Sequence, residues 1–123
     1  MQNTQQATDE RPKIKTATSQ LEKFVSSLFQ NLQYGKLIIQ WTDGKVQEFV
    51  GRNQTVHTDL ESSLIIHDSK FYKRVLSGGT LGFAESYLDG QWSSSNLAKL
   101  LEILSLNLHQ FEAKIDRNIF FKT

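Results

Sequence analysis

The sequence has no cysteine and a single proline among its 123 residues. Without cysteine, the chain cannot form a disulfide scaffold, a cysteine-ligated zinc site or a thiol nucleophile. An excess of one charge sign is also lacking, because 14 lysines and arginines stand against 13 acidic residues. A formal net charge of +1 gives no general attraction to nucleic acid, so we expect no nucleic-acid partner.

Long hydrophobic runs are missing as well. No apolar run approaches the roughly 18 residues of a membrane-spanning helix. Residues 1–15 are polar and lack the apolar region of a secretory signal. We therefore expect a cytoplasmic protein that reaches a membrane only from its surface.

The apolar residues that are present suit one domain with its own core, since they make up 38% of the chain and include 8 phenylalanines. Residues 1–18 hold almost no large apolar side chains, so they are predicted to form a disordered polar tail. Residues 19–110 are predicted to form the domain. Residues 111–123 are predicted to begin a linker, and Ile119, Phe120 and Phe121 there are expected to pack on a continuing chain or a partner.

Hydrophobic spacing predicts a first helix that begins at Ser19. Ser19 and Glu22 stand at the spacing of a capping box, and Gly35 is placed to end the helix. Two interpretations of its apolar stripe are open, since the stripe packs on a sheet or reaches lipid. The stripe comprises Leu21, Phe24, Val25, Leu28, Phe29 and Leu32.

A hairpin follows, signalled by Asp43 and Gly44 between the strand-like residues 36–42 and 45–51. We expect a two-residue turn. Both faces of the hairpin then carry apolar side chains, so it is expected to be at least partly covered on both sides. The expected pairs are Trp41 with Val46, Ile39 with Glu48 and Leu37 with Val50, while Ile38 and Phe49 share the other face.

A further strand region is predicted over residues 55–67, as one long strand or two short ones. Its side chains alternate between two faces, of which one is apolar. His57, Asp59 and Glu61 share the other face and belong to the residue types that bind metals. They are either metal ligands or a solvated face, and no second cluster of ligands lies nearby in the sequence.

The second half of the chain predicts helices. Asp68 is placed to begin a short helix over residues 70–77, a glycine pair ends it, and Thr80 caps the next helix over residues 81–88. The order of helix, strands and helices predicts the α+β class, with a small antiparallel sheet. Ser93, Ser94 and Ser95 are the expected cap of a last helix, with an apolar stripe of Leu97, Leu100, Leu101, Leu104, Leu108 and Phe111.

Recognisable catalytic motifs are absent. The sequence has no phosphate-binding loop, GxSxG, HExxH or GxGxxG, so we assign no catalytic, cofactor-binding or metal-binding residue. Glu85 and Asp89 stand four apart and are either an acid–base pair or structural carboxylates bonded to nearby turns, and we favour the structural role. Lys70, Lys73 and Arg74 form a cationic patch that binds phosphate head groups or is merely solvated.

The segment from Phe71 to Leu97, FYKRVLSGGTLGFAESYLDGQWSSSNL, changes this assessment. It resembles the N-terminal domain of cyclopropane-fatty-acyl-phospholipid synthases, and the upstream hairpin GKLIIQWTDGKVQEFVG is similar too. The resemblance spans about residues 35–104 and rests on many matching positions rather than on a single glycine motif. The matching positions are Asp68, Phe71, Tyr72, Gly78, Gly79, Leu81, Gly82, Phe83, Ala84, Glu85, Tyr87, Asp89, Gly90 and Trp92.

The resemblance implies that two domains of the protein have different functions. In that family a C-terminal methyltransferase domain transfers a one-carbon group from S-adenosylmethionine to an unsaturated acyl chain of a membrane phospholipid. S-adenosylmethionine and bicarbonate would then belong to that domain, and none of its residues can be assigned here. The N-terminal domain is expected to have a sterol carrier protein-like fold and to hold or deliver lipid.

The expected partners are therefore a phospholipid or acyl chain, a weakly bound inner membrane face, the catalytic domain and a second copy in a homodimer. Two other functions stay open, namely a free-standing lipid carrier of the sterol carrier type and a protein interaction module without a lipid site. Phe83 and Trp92 are expected to be packing residues. The residues expected to contact lipid are Phe24, Leu28, Phe29, Lys70, Lys73 and Arg74.

Overall fold

The structure is a computed structural model that describes residues 19–53 and 59–120, so the predicted polar tail lies outside it. Three helices and a four-stranded sheet occupy the described residues, which confirms the α+β class. The elements are α1 (residues 19–30), β1 (Lys36–Gln40), β2 (Val46–Val50), β3 (Glu61–Ile66), α2 (Lys70–Leu88), β4 (Trp92–Ser93) and α3 (Leu97–Phe120).

The sheet is mixed, and the prediction of an antiparallel sheet is wrong. Its strand order is β2-β1-β3-β4. β1 pairs antiparallel with β2 but parallel with β3, and β3 pairs antiparallel with β4. After the β1–β2 hairpin the chain crosses to the free side of β1 and adds β3 there. A hairpin signal carries no information about a strand that is added beyond it, so the sequence pattern missed the parallel pair.

The β1–β2 hairpin lies where it was predicted but has a different register. Leu37 lies opposite Phe49, one residue away from the predicted partner. The turn holds three residues, because the Trp41 N–H donates to the Lys45 carbonyl at 2.8 Å and the Gly44 N–H donates to the Trp41 carbonyl at 2.9 Å. Gly44 has φ 91°, as expected for a type I turn followed by a left-handed residue. The extra turn residue moves Phe49 to the side of Leu37.

One face of the sheet is buried and the other is largely solvated. On the outer face Lys36 bridges Glu48 and Glu61 at N–O distances of 3.1 and 3.7 Å. Val46 and Val50 lie on the same outer face and are 64% and 50% exposed. The described residues therefore do not cover the hairpin on both sides as expected. The buried face carries Leu37, Ile39, Phe49, Leu64 and Ile66, each of which is at most 5% exposed.

The apolar stripe of α1 packs against the buried face of the sheet. Val25 and Leu28 are 2% and 6% exposed. The ring of Phe29 contacts those of Phe49 and Phe111, with centroid distances of 5.8 and 5.4 Å. Of the two interpretations of this stripe, packing on a sheet is the one that the folded domain shows.

α2 consists of two helical halves joined at Gly79. Gly79 has φ 58° and ψ −137°, a conformation that side-chain-bearing residues rarely adopt. The predicted break at the glycine pair is therefore confirmed. The two halves approach each other closely, because a Cβ on Gly82 would overlap the backbone carbonyl of Arg74.

We expect Gly79→Ala to lower the free energy of unfolding by about 1–3 kcal/mol, because alanine is strained at that φ and ψ. Gly78→Ala is the matched control. A Cβ at Gly78 meets nothing within 4 Å, and its φ is not positive, so we expect no loss of stability there. Urea denaturation measures both variants. Equal midpoints for the two variants would contradict the strain assigned to Gly79.

α3 continues past the domain boundary predicted at residue 110. Phe111 is 8% exposed, and Ile115 packs against the core, so both residues belong to the domain rather than to a linker. The apolar spacing that ends at Phe111 in the prediction continues one turn further to Ile115. The domain therefore extends at least to residue 115.

The residues at the helix caps differ from those predicted. Ser19 is itself helical and is not the cap of α1. At α3 the cap is Asn96 rather than the preceding serines, because its Oδ1 accepts from the Lys99 N–H at 3.0 Å. At α2 the cap position is Ser69, whose side chain makes no capping hydrogen bond. Asp68 lies one residue earlier, and its Oδ1 accepts from the Lys70 N–H at 2.9 Å.

Candidate functional site

An apolar groove lies between α1, α2 and α3. It encloses a volume of about 170 Å³ and is open to solvent along one side. The mouth is marked by exposed residues on α3 and by Thr80 of α2. The floor consists of side chains that are at most 8% exposed, namely Val25, Leu28, Phe29, Phe71 and Phe111.

The dimensions of the groove suit a single extended apolar chain. The α3 wall runs from Leu101 to Ile115, about 21 Å along the helix axis at 1.5 Å per residue. One leaflet of a bilayer has a hydrocarbon depth of about 15 Å, half the core thickness. A cavity of roughly 150 Å³ holds a ligand of the size of benzene, so the groove is long but shallow. It therefore encloses part of one chain and has no room for two side by side.

Two stripes on α3 explain why the groove forms. Leu100 and Ile103 are fully buried and face the sheet. A second stripe with alternating spacings of three and four faces the groove, and it includes Leu104 and Leu108. On the opposite wall, the kink at Gly79 lets both halves of α2 line the groove.

Only two of the residues expected to contact lipid lie in this groove. Leu28 and Phe29 form part of its floor. Phe24 is half-buried against the core and does not line the groove. Lys70 and Lys73 are exposed on α2 and do not line it either.

Arg74 belongs to an ion-pair cluster that holds the two halves of α2 together. Its Nη1 donates to Asp89 Oδ2 at 2.6 Å, and its Nη2 lies 3.9 Å from Glu85 Oε1. We expected backbone N–H groups of the turns as partners of the two carboxylates, whereas the structure shows a guanidinium from the first half of the helix. All three side chains are partly exposed, so we expect a modest contribution to stability.

Trp92 anchors the motif segment behind the groove. It is 2% exposed and stacks on Phe83 at a centroid distance of 4.2 Å. Its Nε1–H donates to the Phe83 carbonyl at 3.0 Å and to Ser86 Oγ at 2.9 Å. Phe83 also lines the groove, so the packing of Trp92 positions one groove wall. Leu81 belongs to the same motif but is 68% exposed.

The proposed metal trio cannot be assembled from the described residues. Asp59 and Glu61 are described, but His57 lies outside. Within residues 19–53 and 59–120, no group of three or more histidine, aspartate or glutamate side chains could hold a metal ion. In the same ranges, no helix combines the length and apolar character needed to cross a membrane.

A second depression, of about 400 Å³, lies between α1 and the hairpin and is polar. Charges of both signs surround it, from Glu22, Lys23 and Lys45. Nearby, the Tyr72 hydroxyl donates to Glu22 Oε2 at 2.9 Å. Burial raises the pKa of Tyr72 to about 12, so the phenol is neutral at physiological pH and acts as a structural donor.

Two features of the site were missed at the level of sequence. The exposed Glu112 was not considered, because nothing in its neighbourhood identified a groove. Asn107 was also missed, although it interrupts the buried α3 stripe of Leu100 and Ile103 at helical spacing. A polar residue inside an apolar stripe was the available signal for a buried hydrogen-bonding role.

Comparisons with known proteins give no identification. No family model, no curated protein and no solved structure matches the chain. The similarity to cyclopropane-fatty-acyl-phospholipid synthases therefore stays a prediction from the sequence, and the groove is characterised by its own geometry.

Proposed function

We propose that this domain holds one acyl chain of a phospholipid in the groove between α1, α2 and α3. It presents the chain to an S-adenosylmethionine-dependent methyltransferase domain of the cyclopropane-synthase type. The observation that carries the proposal is the groove itself, which is apolar along its floor, about 21 Å long and open on one side. The motif that resembles the synthases supplies one of its walls through Phe83.

The expected affinity is low and the binding reversible. Each methylene that leaves water contributes about 0.8 kcal/mol, but a shallow groove buries only part of the chain. A single fourteen-carbon chain partitions into a membrane with a constant of about 10⁴ M⁻¹. We expect a comparable dissociation constant for the groove, on the order of 10⁻⁴ M. A domain that passes lipid to a catalytic partner must release the lipid as well as bind it.

The membrane contact is proposed at the mouth of the groove. Leu101 and Leu108 are 45% and 37% exposed there, whereas the α1 stripe is buried. Lys70 and Lys73 each add about 1 kcal/mol near an anionic surface. Arg74 adds less, because its charge is paired with Asp89. The attraction is therefore modest and sensitive to salt.

An interaction module is the competing function. Exposed leucines, with Leu88 at 81% and Leu81 at 68%, lie on the second half of α2 and favour a protein contact. A partner helix could also lay its apolar face in the groove. A free-standing carrier would use the same groove and differs only in lacking a catalytic partner.

Filling the groove mouth tests the proposal. We expect Ser105→Phe to weaken binding of a fluorescent sixteen-carbon lysophospholipid by at least about tenfold, since the ring occupies space that the chain needs. The lipid is held at a fixed concentration below its micelle concentration, and the protein is titrated to well above the expected dissociation constant. His109→Phe is the matched control, because His109 is exposed on the same helix and does not line the groove.

Equal affinity of the two phenylalanine variants would contradict the groove as the lipid site. If the lysophospholipid does not bind the unmodified chain, the interaction module is favoured.

Calorimetry with S-adenosylmethionine is a second measurement. We expect no binding to this chain, because it has no glycine-rich cofactor loop.

A further inference from the structure

The polar part of the groove mouth has a definite chemical character. Thr80 and Ser105 contribute hydroxyl groups, and Glu112 contributes a carboxylate. Glu112 is the one charged residue that lines the groove in the described part of the chain. A ligand head that lies at the mouth therefore meets two hydroxyl groups, which can donate or accept hydrogen bonds, and one negative charge.

Among the residues whose side chains the structure describes, Arg74 and Lys114 make bonds outside the groove. The guanidinium of Arg74 is paired with Asp89 and Glu85 on the α2 side. Lys114 Nζ donates to the Ser27 carbonyl at 3.2 Å, and it does not line the groove. Within the described part of the chain, the residues that line the groove include no lysine or arginine to meet a carboxylate head.

The position of Glu112 also orients the ligand. It lies three residues before Ile115, at one end of the α3 wall, and about 16 Å along the axis from Leu101 at the other end. That distance is close to the hydrocarbon depth of one leaflet, about 15 Å. A head at Glu112 leaves an apolar path of one chain length toward Leu101 and Phe83.

Resting on the proposed function, we infer that the groove selects a single-chain amphiphile with an ammonium head at the Glu112 end. A carboxylate head is disfavoured by repulsion from Glu112, and an uncharged head lies between the two. Glu112 is exposed, so the discrimination is limited. For exposed charges we expect the dissociation constant of each charged ligand to differ from that of the uncharged one by about two- to fivefold. The constants of the ammonium and carboxylate ligands should then differ by roughly tenfold at low salt.

Three ten-carbon ligands test the inference at pH 8 and low salt: decylammonium, decanol and decanoate. The two ionic ligands are kept below their micelle concentrations, and decanol is kept below its solubility limit. Competition against the fluorescent lysophospholipid gives the three dissociation constants. In the unmodified chain we expect decylammonium to bind most tightly and decanoate most weakly. In Glu112→Gln the three constants should converge, and in Glu112→Lys the order should reverse.

Glu102→Gln is the matched control, since Glu102 is an exposed α3 glutamate that does not line the groove. We expect it to keep the tenfold ratio. Three equal constants in the unmodified chain would overturn the head preference and leave the groove proposal standing. A ratio that changes as much in Glu102→Gln as in Glu112→Gln would overturn the role of Glu112. Failure of all three ligands to compete would overturn the acyl-chain site as well.

Discussion

Replacing Asn107 by alanine is expected to lower the free energy of unfolding by about 3–5 kcal/mol. Asn107 is fully buried on α3. Its Oδ1 accepts from the backbone N–H groups of Gln33 and Tyr34 at 2.7 and 3.2 Å. Its Nδ2 donates to the carbonyls of Tyr34 and Ile103 at 3.0 and 2.7 Å. Alanine removes all four of these side-chain bonds, and the loss of a partner costs about 1–3 kcal/mol for a buried backbone group.

The control for this variant is His109→Ala, two residues away on the exposed side of the same helix. We expect its effect to be within about 0.5 kcal/mol. Urea denaturation of the full chain gives both values. A loss below about 1 kcal/mol for Asn107→Ala would contradict the view that this side chain fastens the α1–β1 connection to α3.

Trp92→Ala is expected to lower the free energy of unfolding by a similar amount, about 3–5 kcal/mol, because it removes a large buried ring. The indole stacks on Phe83, and its N–H satisfies the Phe83 carbonyl. Loss of the ring leaves a cavity beside Phe83, so lipid binding should weaken along with stability. Trp92→Phe keeps an aromatic ring and loses the donor, so its cost should be smaller.

Leu88→Ala is the comparison for Trp92→Ala. Leu88 is a large apolar residue of the same segment but is 81% exposed, so we expect little change in stability. Thermal unfolding of the variants is the measurement, with a shift of about 4–8 °C per kcal/mol for a domain of this size. An unchanged Tm for Trp92→Ala would refute the anchoring role.

Local signals in the sequence predicted the local features of the fold. Gly79 and its neighbour marked the break in α2, and the Asp43–Gly44 pair placed the first hairpin. Trp92 was identified as a packing residue because a segment rich in glycine turns needs a bulky anchor. In each of these cases the physical cause lies within a few residues of the signal, so the pattern contains the information.

Features that depend on distant partners were not predictable in this way. The parallel pairing of β1 with β3 depends on where the chain returns after the hairpin. The register of the β1–β2 hairpin depends on one extra turn residue, and this residue places Phe49 on the core side of the sheet. The partner of Glu85 and Asp89 is Arg74, which lies beyond the helix break. The groove needs three helices at once, so no single stripe reveals it.

Methyl NMR with a spin-labelled lysophospholipid, its nitroxide on the acyl chain, tests the acyl-chain site most directly. The account predicts selective broadening of the methyl signals of Val25, Leu104 and Leu108, which line the groove. Val46 and Val50, exposed on the outer face of the sheet, should stay sharp. Broadening confined to Val46 and Val50, or spread equally over all exposed methyl groups, would contradict a lipid site between the three helices.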